Sequence, residues 1–483
     1  MKKMKKIFLS IAMVASLFSC SDQLDLVPLS TVTEPTFWKT PDDALSAING
    51  TYRVLQNSNL YGGFFMHSDA LTDNAYSHYT FYNYLEISTG SGFDSNSPLP
   101  SNLWNINYQG IVRANRVIKE VPNITMDETL KNRIIAESRF LRALFYFNLT
   151  TLYGDVPLIL NIQTISESLV PRNTKSEVVA QILDDLTFAS NNLPTSYSGA
   201  NIGRATKGAA LALKCRVHLF NKQYPETIAA ANAVSALGYD LVSAADFPRI
   251  FSPALENNNK ESIFEVQFLG KTGATPVVLG SNFNSTSGAM TQFGPAPYAP
   301  LKELFDIYTT GDIRLGATII KPTDVFGGQT YTGNLSQTKY SYKKYVIPDA
   351  TITTDGDANY IVLRYAEVLL SLAEAENELN GPTGAYAPMK KIRNRAGLTD
   401  LTAGLTKDNM RAAIKLERRK ELAFEGLHYF DLLRYGATDL KEAMVNVTSI
   451  SGHSRVFQSR FILWPIPQSQ RTINPNLTQN TGW

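Results

Sequence analysis

Apolar residues recur at helical spacing along most of the chain. Between residues 126 and 152 they lie three, four or seven positions apart, which is the spacing of one apolar face on an amphipathic helix. The residues that form this face are Leu130, Ile134, Leu141, Leu144, Phe145 and Leu152. Similar patterns predict further helices at about 42–56, 106–120, 175–192, 205–221, 224–237 and 407–435. We therefore predict a mainly α-helical protein.

Two pairs of these helical segments are typical of helix hairpins. In "TKGAALALKCRVHLFNKQ" and the following "YPETIAAANAVSALGYD", small and large apolar residues alternate at helical spacing. A second pair is formed by "YIVLRYAEVLLSLAEAENELN" and "GAYAPMKKIRNRAGL". Small residues let two helices approach closely, as they do in tetratricopeptide repeats. Because the strict repeat period is absent, we predict a tetratricopeptide-like scaffold and not a regular solenoid.

Two long insertions, at about 57–103 and 240–360, interrupt the helical pattern. The first is rich in Gly, Ser, Asn and aromatic residues. In the second, "ESIFEVQF" alternates as a short strand, and Gly, Ser, Thr and Pro dominate from 270 to 300. Binding residues are often found on such irregular segments when rigid elements hold them in place. We predict a single body over 41–483, whose N-terminal part (about 41–240) and C-terminal part (about 241–483) each carry one insertion. The ligand site is expected on these insertions.

The beginning of the chain has the pattern of an export signal. Four lysines precede an apolar stretch at 7–18, which is too short to span a bilayer and is typical of a signal peptide. Leu17-Phe18-Ser19-Cys20 resembles a bacterial lipobox, in which the cysteine is acylated and becomes the mature N-terminus. We predict a signal peptide at 1–19, lipid attachment at Cys20 and a tether over 20–40. The alternative is an ordinary signal peptide with an unrelated cysteine.

Charge and cysteine content narrow the possible functions. The chain has 45 Lys and Arg against 43 Asp and Glu, and removing the four leader lysines leaves a net charge of −2. This balance argues against a nucleic-acid binder that works by neutralising phosphates. With Cys20 used as the lipid anchor, only Cys215 remains, so no intramolecular disulfide can form. Cys215 lies in an apolar helical pattern and is predicted to be a small buried hydrophobe.

No motif in the chain predicts catalysis. Glu417, Glu421 and Glu425 are spaced i,i+4 on one predicted helix, and paired carboxylates can flank a glycosidic bond. However, the adjacent Arg418 and Arg419 favour a salt-bridged helix, and Asp312 with Arg314 is predicted to be a packing pair. The five histidines show no HExxH or other short metal-binding spacing. We therefore predict no catalytic residue, metal or cofactor.

Several long motifs resemble one family. They are "FWKTPDDALSAINGTY", "LWNINYQGIVRANRVI", "AESRFLRALFYFNLTTLYGDVPLI", "LRYAEVLLSLAEAENEL", "ERRKELAFEGLHYFDLLRYG" and "LWPIPQSQRTINPNLTQNTGW". Together, and in this order, they resemble the SusD/RagB family of outer-membrane lipoproteins. The resemblance implies a protein anchored in outer-membrane lipid through acylated Cys20 and exposed at the cell surface. It also implies a lid over a SusC-like TonB-dependent transporter, which receives captured oligosaccharide. Members of this family are binding proteins and not enzymes.

The candidate ligand contacts come from an aromatic and polar stretch and from the resemblance. "DNAYSHYTFYNY" at 73–84 mixes aromatic rings, which pack on sugar faces, with groups that bond hydroxyls. By resemblance, the predicted contacts are Asp73, Asn74, Tyr79, Tyr82, Trp104, Asn107, Phe293 and Tyr298. For each residue, packing in the core is the alternative. For the whole protein, the alternatives are a RagB-like peptide binder, a glycan-cleaving enzyme and a structural surface protein.

Overall fold

The computed structural model describes residues 37–483 except 78–83, 163, 165–166, 254, 256–257, 271–279, 282, 284–297, 334–337, 348–354, 448–449 and 451–454. The predicted signal peptide, Cys20 and most of the predicted tether lie outside the described residues. The same is true of Tyr79, Tyr82 and Phe293.

The described chain is mainly helical, as predicted. Its α-helices are α1 Pro41–Tyr52, α2 Phe64–His67, α3 Tyr84–Thr89, α4 Pro98–Glu120, α5 Glu128–Tyr153, α6 Lys175–Asn192, α7 Lys207–Phe220, α8 Tyr224–Ser235, α9 Lys302–Phe305, α10 Arg314–Thr318, α11 Tyr365–Asn380, α12 Tyr386–Arg395, α13 Lys407–Leu422, α14 His428–Tyr435, α15 Ala437–Val445 and α16 Gln468–Ile473. Its strands are β1 Ala75–Ser77, β2 Ser262–Val266, β3 Tyr298–Pro300, β4 Ile319–Ile320, β5 Val325–Phe326, β6 Gln329–Thr330, β7 Ser341–Tyr342 and β8 Tyr360–Arg364. None of the described helices is long and apolar enough to cross a membrane.

The helices pack in sequence order around one apolar core. Helix α4 packs on α5, α5 on α6, α6 on α7 and α7 on α8, and α8 in turn packs on α11. Close approach of α4 to α5 requires a glycine, because a Cβ on Gly110 would stand 2.3 Å from a ring carbon of Phe145. In the first predicted hairpin, α7 packs on α8 and Cys215 is buried, as expected. The tetratricopeptide-like character of the hairpins stays a prediction.

Local signals set some helix ends accurately. Helix α6 has the predicted ends, and its first turn is closed by a capping box between Thr174 and Glu177. Helix α4 begins at Pro98, eight residues before its predicted start at 106, with Pro98 in the first-turn position that proline favours.

The prediction of one continuous helix over 407–435 was wrong. Helix α13 ends at Leu422 and α14 begins at His428. Between them, Phe424 and Gly426 have positive φ angles of 60° and 69°. A Cβ on Gly426 would stand 2.3 Å from the backbone oxygen of Phe65, so only glycine fits there. The helix therefore ends because of contacts with a distant part of the chain, which helical periodicity does not report.

The second insertion contains short strands and helices and not only loops. Its beginning and end are joined by an antiparallel pair, β2 with β8, in which Ser262 lies opposite Arg364. The predicted strand in "ESIFEVQF" is confirmed as β2. Within the insertion, β4 pairs with β7, and β5 pairs with β6 across a tight turn at 327–328.

Candidate functional site

A two-stranded sheet brings the two insertions together. Strand β1 of the first insertion pairs antiparallel with β3 of the second, so that Ser77 lies opposite Tyr298. Ser77 directly precedes residues 78–83, and Tyr298 directly follows residues 284–297. The described ends of the two segments that carry Tyr79, Tyr82 and Phe293 are therefore adjacent. We call residues 72–77 and 298–301 the loop base.

Two predicted ligand residues, Asp73 and Asn74, fasten the loop base to helices α13 and α14. The carboxylate of Asp73 lies 2.7 Å from Nη1 of Arg419 and 2.8 Å from Nε2 of His428. The side-chain oxygen of Asn74 accepts from Nε of Arg419 at 2.7 Å, and its backbone oxygen accepts from the Leu301 N–H at 2.9 Å. The bonds to Arg419 and His428 join the loop base to α13 and α14, and the bond to Leu301 joins the two segments of the loop base.

Asp73 and Asn74 differ in how much of each side chain is exposed to solvent. Asn74 is fully buried, so its amide serves the fold and could reach a ligand only after a rearrangement. The side chain of Asp73 keeps 19% of its surface exposed. Burial alone would raise the pKa of Asp73, but His428 and Arg419 outweigh this effect and hold its pKa below the usual value. Asp73 is therefore an ionised, partly accessible hydrogen-bond acceptor at neutral pH.

Tyr298 forms a packed support in this structure. It is 4% exposed, and its ring stacks on the imidazole of His67 with 4.0 Å between centroids and 8° between planes. Burial lowers the pKa of His67 to about 3, so the imidazole is neutral at physiological pH. Contact between Tyr298 and a ligand stays a prediction. In the structure, Tyr298 begins β3 and packs on His67.

Trp104 and Asn107 lie on α4 and belong to a different region. Asn107 is fully buried, donates to the Leu103 carbonyl at 2.7 Å and accepts from Asn148 at 3.2 Å. Its contact with a ligand would require the α4–α5 interface to open. Trp104 is 4% exposed, and its ring meets Tyr153 edge to face. The structure therefore divides the predicted contacts that it describes between the loop base and α4.

Trp104 nevertheless lines a surface pocket of about 310 Å³. Tyr108, Asn105 and Gln470 also line it, and Gln470 donates to the Asn105 side chain at 3.0 Å. None of the residues that line this pocket in the described chain comes from β1 or β3. The sequence predictions did not include Asn105 and Tyr108, although both belong to the same "LWNINY" motif as Trp104.

Arg419 and His428 are further residues of the site that the sequence predictions missed. Arg419 was assigned to a salt-bridged helix, which is correct in kind, but its partner lies 346 residues earlier in the chain. The neighbouring glutamates do form salt bridges, as predicted, but their partners are arginines of other segments, while the adjacent Arg418 pairs with Asp431. Glu417 pairs with Arg314 at 2.6 Å, and Glu421 with Arg364 at 2.7 Å. The oxygens of these carboxylates are thus engaged by buried arginines.

The described residues also contain no group of three or more His, Cys, Asp or Glu side chains that could hold a metal ion. What the loop base offers is a partly accessible carboxylate, a packed aromatic support and, directly after β1, the sequence 78–83 that is rich in polar and aromatic residues. Such a surface suits binding by stacking and hydrogen bonding.

Two protein-family models match the chain. One is described as the SusD family and matches residues 307–483. The other is described as starch-binding and associating with the outer membrane, and matches residues 42–219. A SusD-like protein of Formosa agariphila is 27% identical, and the alignment covers 99% of this chain and 99% of that protein.

Solved structures agree with this relationship. A SusD-like carbohydrate-binding protein from Bacteroides fragilis superimposes with a TM-score of 0.82 at 25% identity, covering 92% of this chain and 100% of the other. A laminarin-binding SusD-like protein superimposes with a TM-score of 0.77 at 26% identity, with the same coverage of 92% and 100%. One family model matches much of the N-terminal part of the body, and the other matches much of the C-terminal part. A relative also aligns with 99% of the chain. The chain therefore belongs to the SusD-like family.

Proposed function

We propose that this protein captures oligosaccharides at the cell surface and delivers them to a SusC-like TonB-dependent transporter in the outer membrane. The observation that carries the proposal is the pairing of β1 with β3, which puts the described ends of both insertions side by side. The adjoining segment 78–83 reads His-Tyr-Thr-Phe-Tyr-Asn, which supplies rings for sugar faces and groups for hydroxyls. The names of the carbohydrate-binding and laminarin-binding relatives support the same ligand class.

Within this proposal, the predicted contacts divide by role. Tyr79, Tyr82 and Phe293 are the proposed stacking residues, and Asp73 is the proposed acceptor for a sugar hydroxyl. Asn74 and Tyr298 support them from the loop base, as their burial suggests. Trp104 belongs to the separate pocket on α4, with Asn107 behind it.

The proposed location depends on Cys20. Acylation of this residue would give the chain a lipid anchor that needs no membrane-spanning helix, and a multiply acylated cysteine holds stably to a bilayer. The description of the matching family model, associating with the outer membrane, supports this location. Replacement of Cys20 by Ser is expected to release the protein from the membrane fraction.

Calorimetric titration of the full chain in detergent tests the function. Laminari- and malto-oligosaccharides are titrated beside peptide mixtures, and product release is followed in the same samples. Saturable glycan binding without cleavage is the expected result. The double variant Tyr79→Ala/Tyr82→Ala should then lose about tenfold in affinity, since each aromatic contact contributes about 0.5–1.5 kcal/mol. Tyr224→Ala, which changes a partly exposed tyrosine at the start of α8, is the matched control and should bind as the wild type does.

The other outcomes separate the alternatives. Binding of peptides alone would contradict the proposal and favour a RagB-like peptide binder. Turnover of either ligand would show that the protein is an enzyme. Saturable binding that is lost in Trp104→Ala but unchanged in the double tyrosine variant would move the site from the loop base to the pocket on α4.

A further inference from the structure

A short segment from the C-terminal part of the chain bonds to residues on both sides of 78–83 in the sequence. Arg455 donates from Nη1 to the Thr72 carbonyl at 2.6 Å and from Nη2 to the Ala75 carbonyl at 2.8 Å. The next residue, Val456, donates its backbone N–H to the Thr89 carbonyl at 2.8 Å. Thr72 and Ala75 precede the segment 78–83, whereas Thr89 follows it. Residues 455–456, which we call the strap, thus join the two stems of the first insertion.

The strap lies so close to the second stem that a glycine is needed there. Gly90 has a φ angle of 71°, and a Cβ built on it would stand 2.0 Å from the Val456 carbonyl oxygen. Any side chain at this position would displace Val456 or change the backbone at Gly90. The contact between strap and stem is therefore specific to this arrangement of the two segments.

Arg455 donates to two backbone carbonyls. It is partly buried, and burial lowers the pKa of Arg455 to about 10, although Asp73 and Glu303 partly offset this effect. Removing a cation from water costs stability unless its partners compensate. The planar guanidinium can, however, hold two acceptors at a fixed separation, which a lysine ammonium cannot do.

The two carbonyls that Arg455 holds flank Asp73 and Asn74, the residues that Arg419 grips by their side chains. The turn at 72–75 is thus held by two arginines: Arg455 bonds to its backbone, and Arg419 bonds to its side chains and to the Asp73 carbonyl. Because β1 begins at Ala75 and pairs with β3, the position of this turn also sets the position of the second insertion at the loop base.

We propose that the strap holds the loop base in its ligand-binding arrangement and that Arg455 is the positioning residue. Arg455 acts through the Thr72 and Ala75 carbonyls and through β1, and makes no contact with the ligand. This inference rests on the proposed function for its effect on affinity, but its effect on the loop base does not depend on any ligand.

Hydrogen–deuterium exchange of the ligand-free full chain in detergent tests the strap directly. In Arg455→Gln, backbone amides of 72–77, 84–90 and 298–301 should exchange at least about tenfold faster, because the two carbonyls lose their donor. Amides of α5 should be unchanged. Exchange rates in Arg455→Lys should lie between those of the wild type and Arg455→Gln, because lysine keeps the positive charge but lacks the planar guanidinium that can hold both carbonyls. Arg460→Gln is the matched control, since Arg460 also donates to a backbone carbonyl, that of Gly482, away from the loop base.

A second variant disturbs the strap without changing the charge of the protein. Gly90→Ala leaves Arg455 intact but places a methyl group against the Val456 carbonyl, so faster exchange at 84–90 and at the loop base is expected. Unchanged exchange at 72–77 and 298–301 in both Arg455→Gln and Gly90→Ala would overturn the proposal.

Affinity measurements test the positioning role of Arg455 separately from the proposed function. For an oligosaccharide that binds the wild type, Arg455→Gln should bind at least about tenfold more weakly with a nearly unchanged melting temperature. Faster exchange with unchanged affinity would refute the positioning role. If the wild type binds no oligosaccharide but exchange rises as expected, the proposed function fails while the strap stands as a clamp on the loop base.

Discussion

Helix α13 carries two arginine–carboxylate systems that differ in burial. Glu421 is fully buried and meets Arg364, Arg395 and Arg314 in a network that also ties in Glu261 at the start of the second insertion. Arg419, two positions earlier and thus on another face of the helix, reaches out to Asp73 of the loop base. There both side chains remain partly exposed, at 15% and 19%.

The difference shows how one helix serves both stability and function. In the network every charge is desolvated, so the removal of one member strands its partners in the interior. At the loop base, the charged side chains of Asp73 and Arg419 keep part of their contact with water, so the loss of one of them leaves a less desolvated charge behind. We therefore expect mutations in the network to change global stability, and mutations at the loop base to change binding.

Glu421→Gln should give the largest effect. Burial alone would raise the pKa of Glu421, but Arg395, Arg364 and Arg314 more than offset this and hold its pKa far below the usual value. The carboxylate is thus ionised, and its loss leaves these cations short of a partner. A loss of about 3–5 kcal/mol in the free energy of unfolding is expected. Chemical denaturation monitored by fluorescence measures it, and a loss below about 1 kcal/mol would contradict the comparison.

Asp73→Asn should act mainly on binding. The substitution removes the ionic contacts to Arg419 and His428 while keeping the shape of the side chain, so a stability loss of about 1–3 kcal/mol is expected. Glycan affinity, measured by calorimetry, should fall by about tenfold or more because the loop base loosens. If stability falls as far as in Glu421→Gln and affinity does not change, the division between the two regions is wrong.

His67→Phe should change how stability depends on pH. Because the pKa of His67 is about 3 in the folded chain and about 6.5 when unfolded, both states are neutral above pH 6.5. Below pH 6.5 the unfolded chain takes up a proton that the folded chain excludes, so the wild type loses stability as pH falls toward 3. Phenylalanine keeps the stack on Tyr298 without this loss.

Relative to wild type, His67→Phe should therefore gain about 1 kcal/mol at pH 5.5 compared with pH 7.5. Melting temperatures of both proteins across this range provide the measurement. Parallel pH profiles for the two proteins would exclude a buried neutral imidazole at this position.

Asp400→Asn should have the smallest effect and serves as the surface reference. Its partner Lys390 lies 2.7 Å away, but both side chains are about half exposed, at 48% and 59%. Exposed pairs of this kind contribute about 0–1 kcal/mol. The same denaturation assay should show a change below about 0.5 kcal/mol in the free energy of unfolding. A change near that of Glu421→Gln would mean that burial does not determine how much these ion pairs contribute to stability.

The helices were the most predictable part of the fold, because their signals are local. Helix α6 follows a capping box and an apolar stripe within its own residues. The break between α13 and α14 could not be predicted in this way, since the carboxylate of Asp69 accepts from the Phe424 N–H across 355 positions of sequence. The candidate site was only partly predictable for the same reason. Composition indicated the aromatic stretch at 73–84, but not that Asn74 and Asn107 would be fully buried.

The sequence by itself determined the mainly helical scaffold, the salt-bridged character of 417–425 and the resemblance to a family. These features depend on periodicity, composition and motifs, which are set by residues close together in the sequence. Only the tertiary structure decided that the insertions meet at β1 and β3, that Arg419 and His428 hold Asp73, and that the strap spans both stems. These contacts join residues hundreds of positions apart, and packing of the whole core sets their geometry.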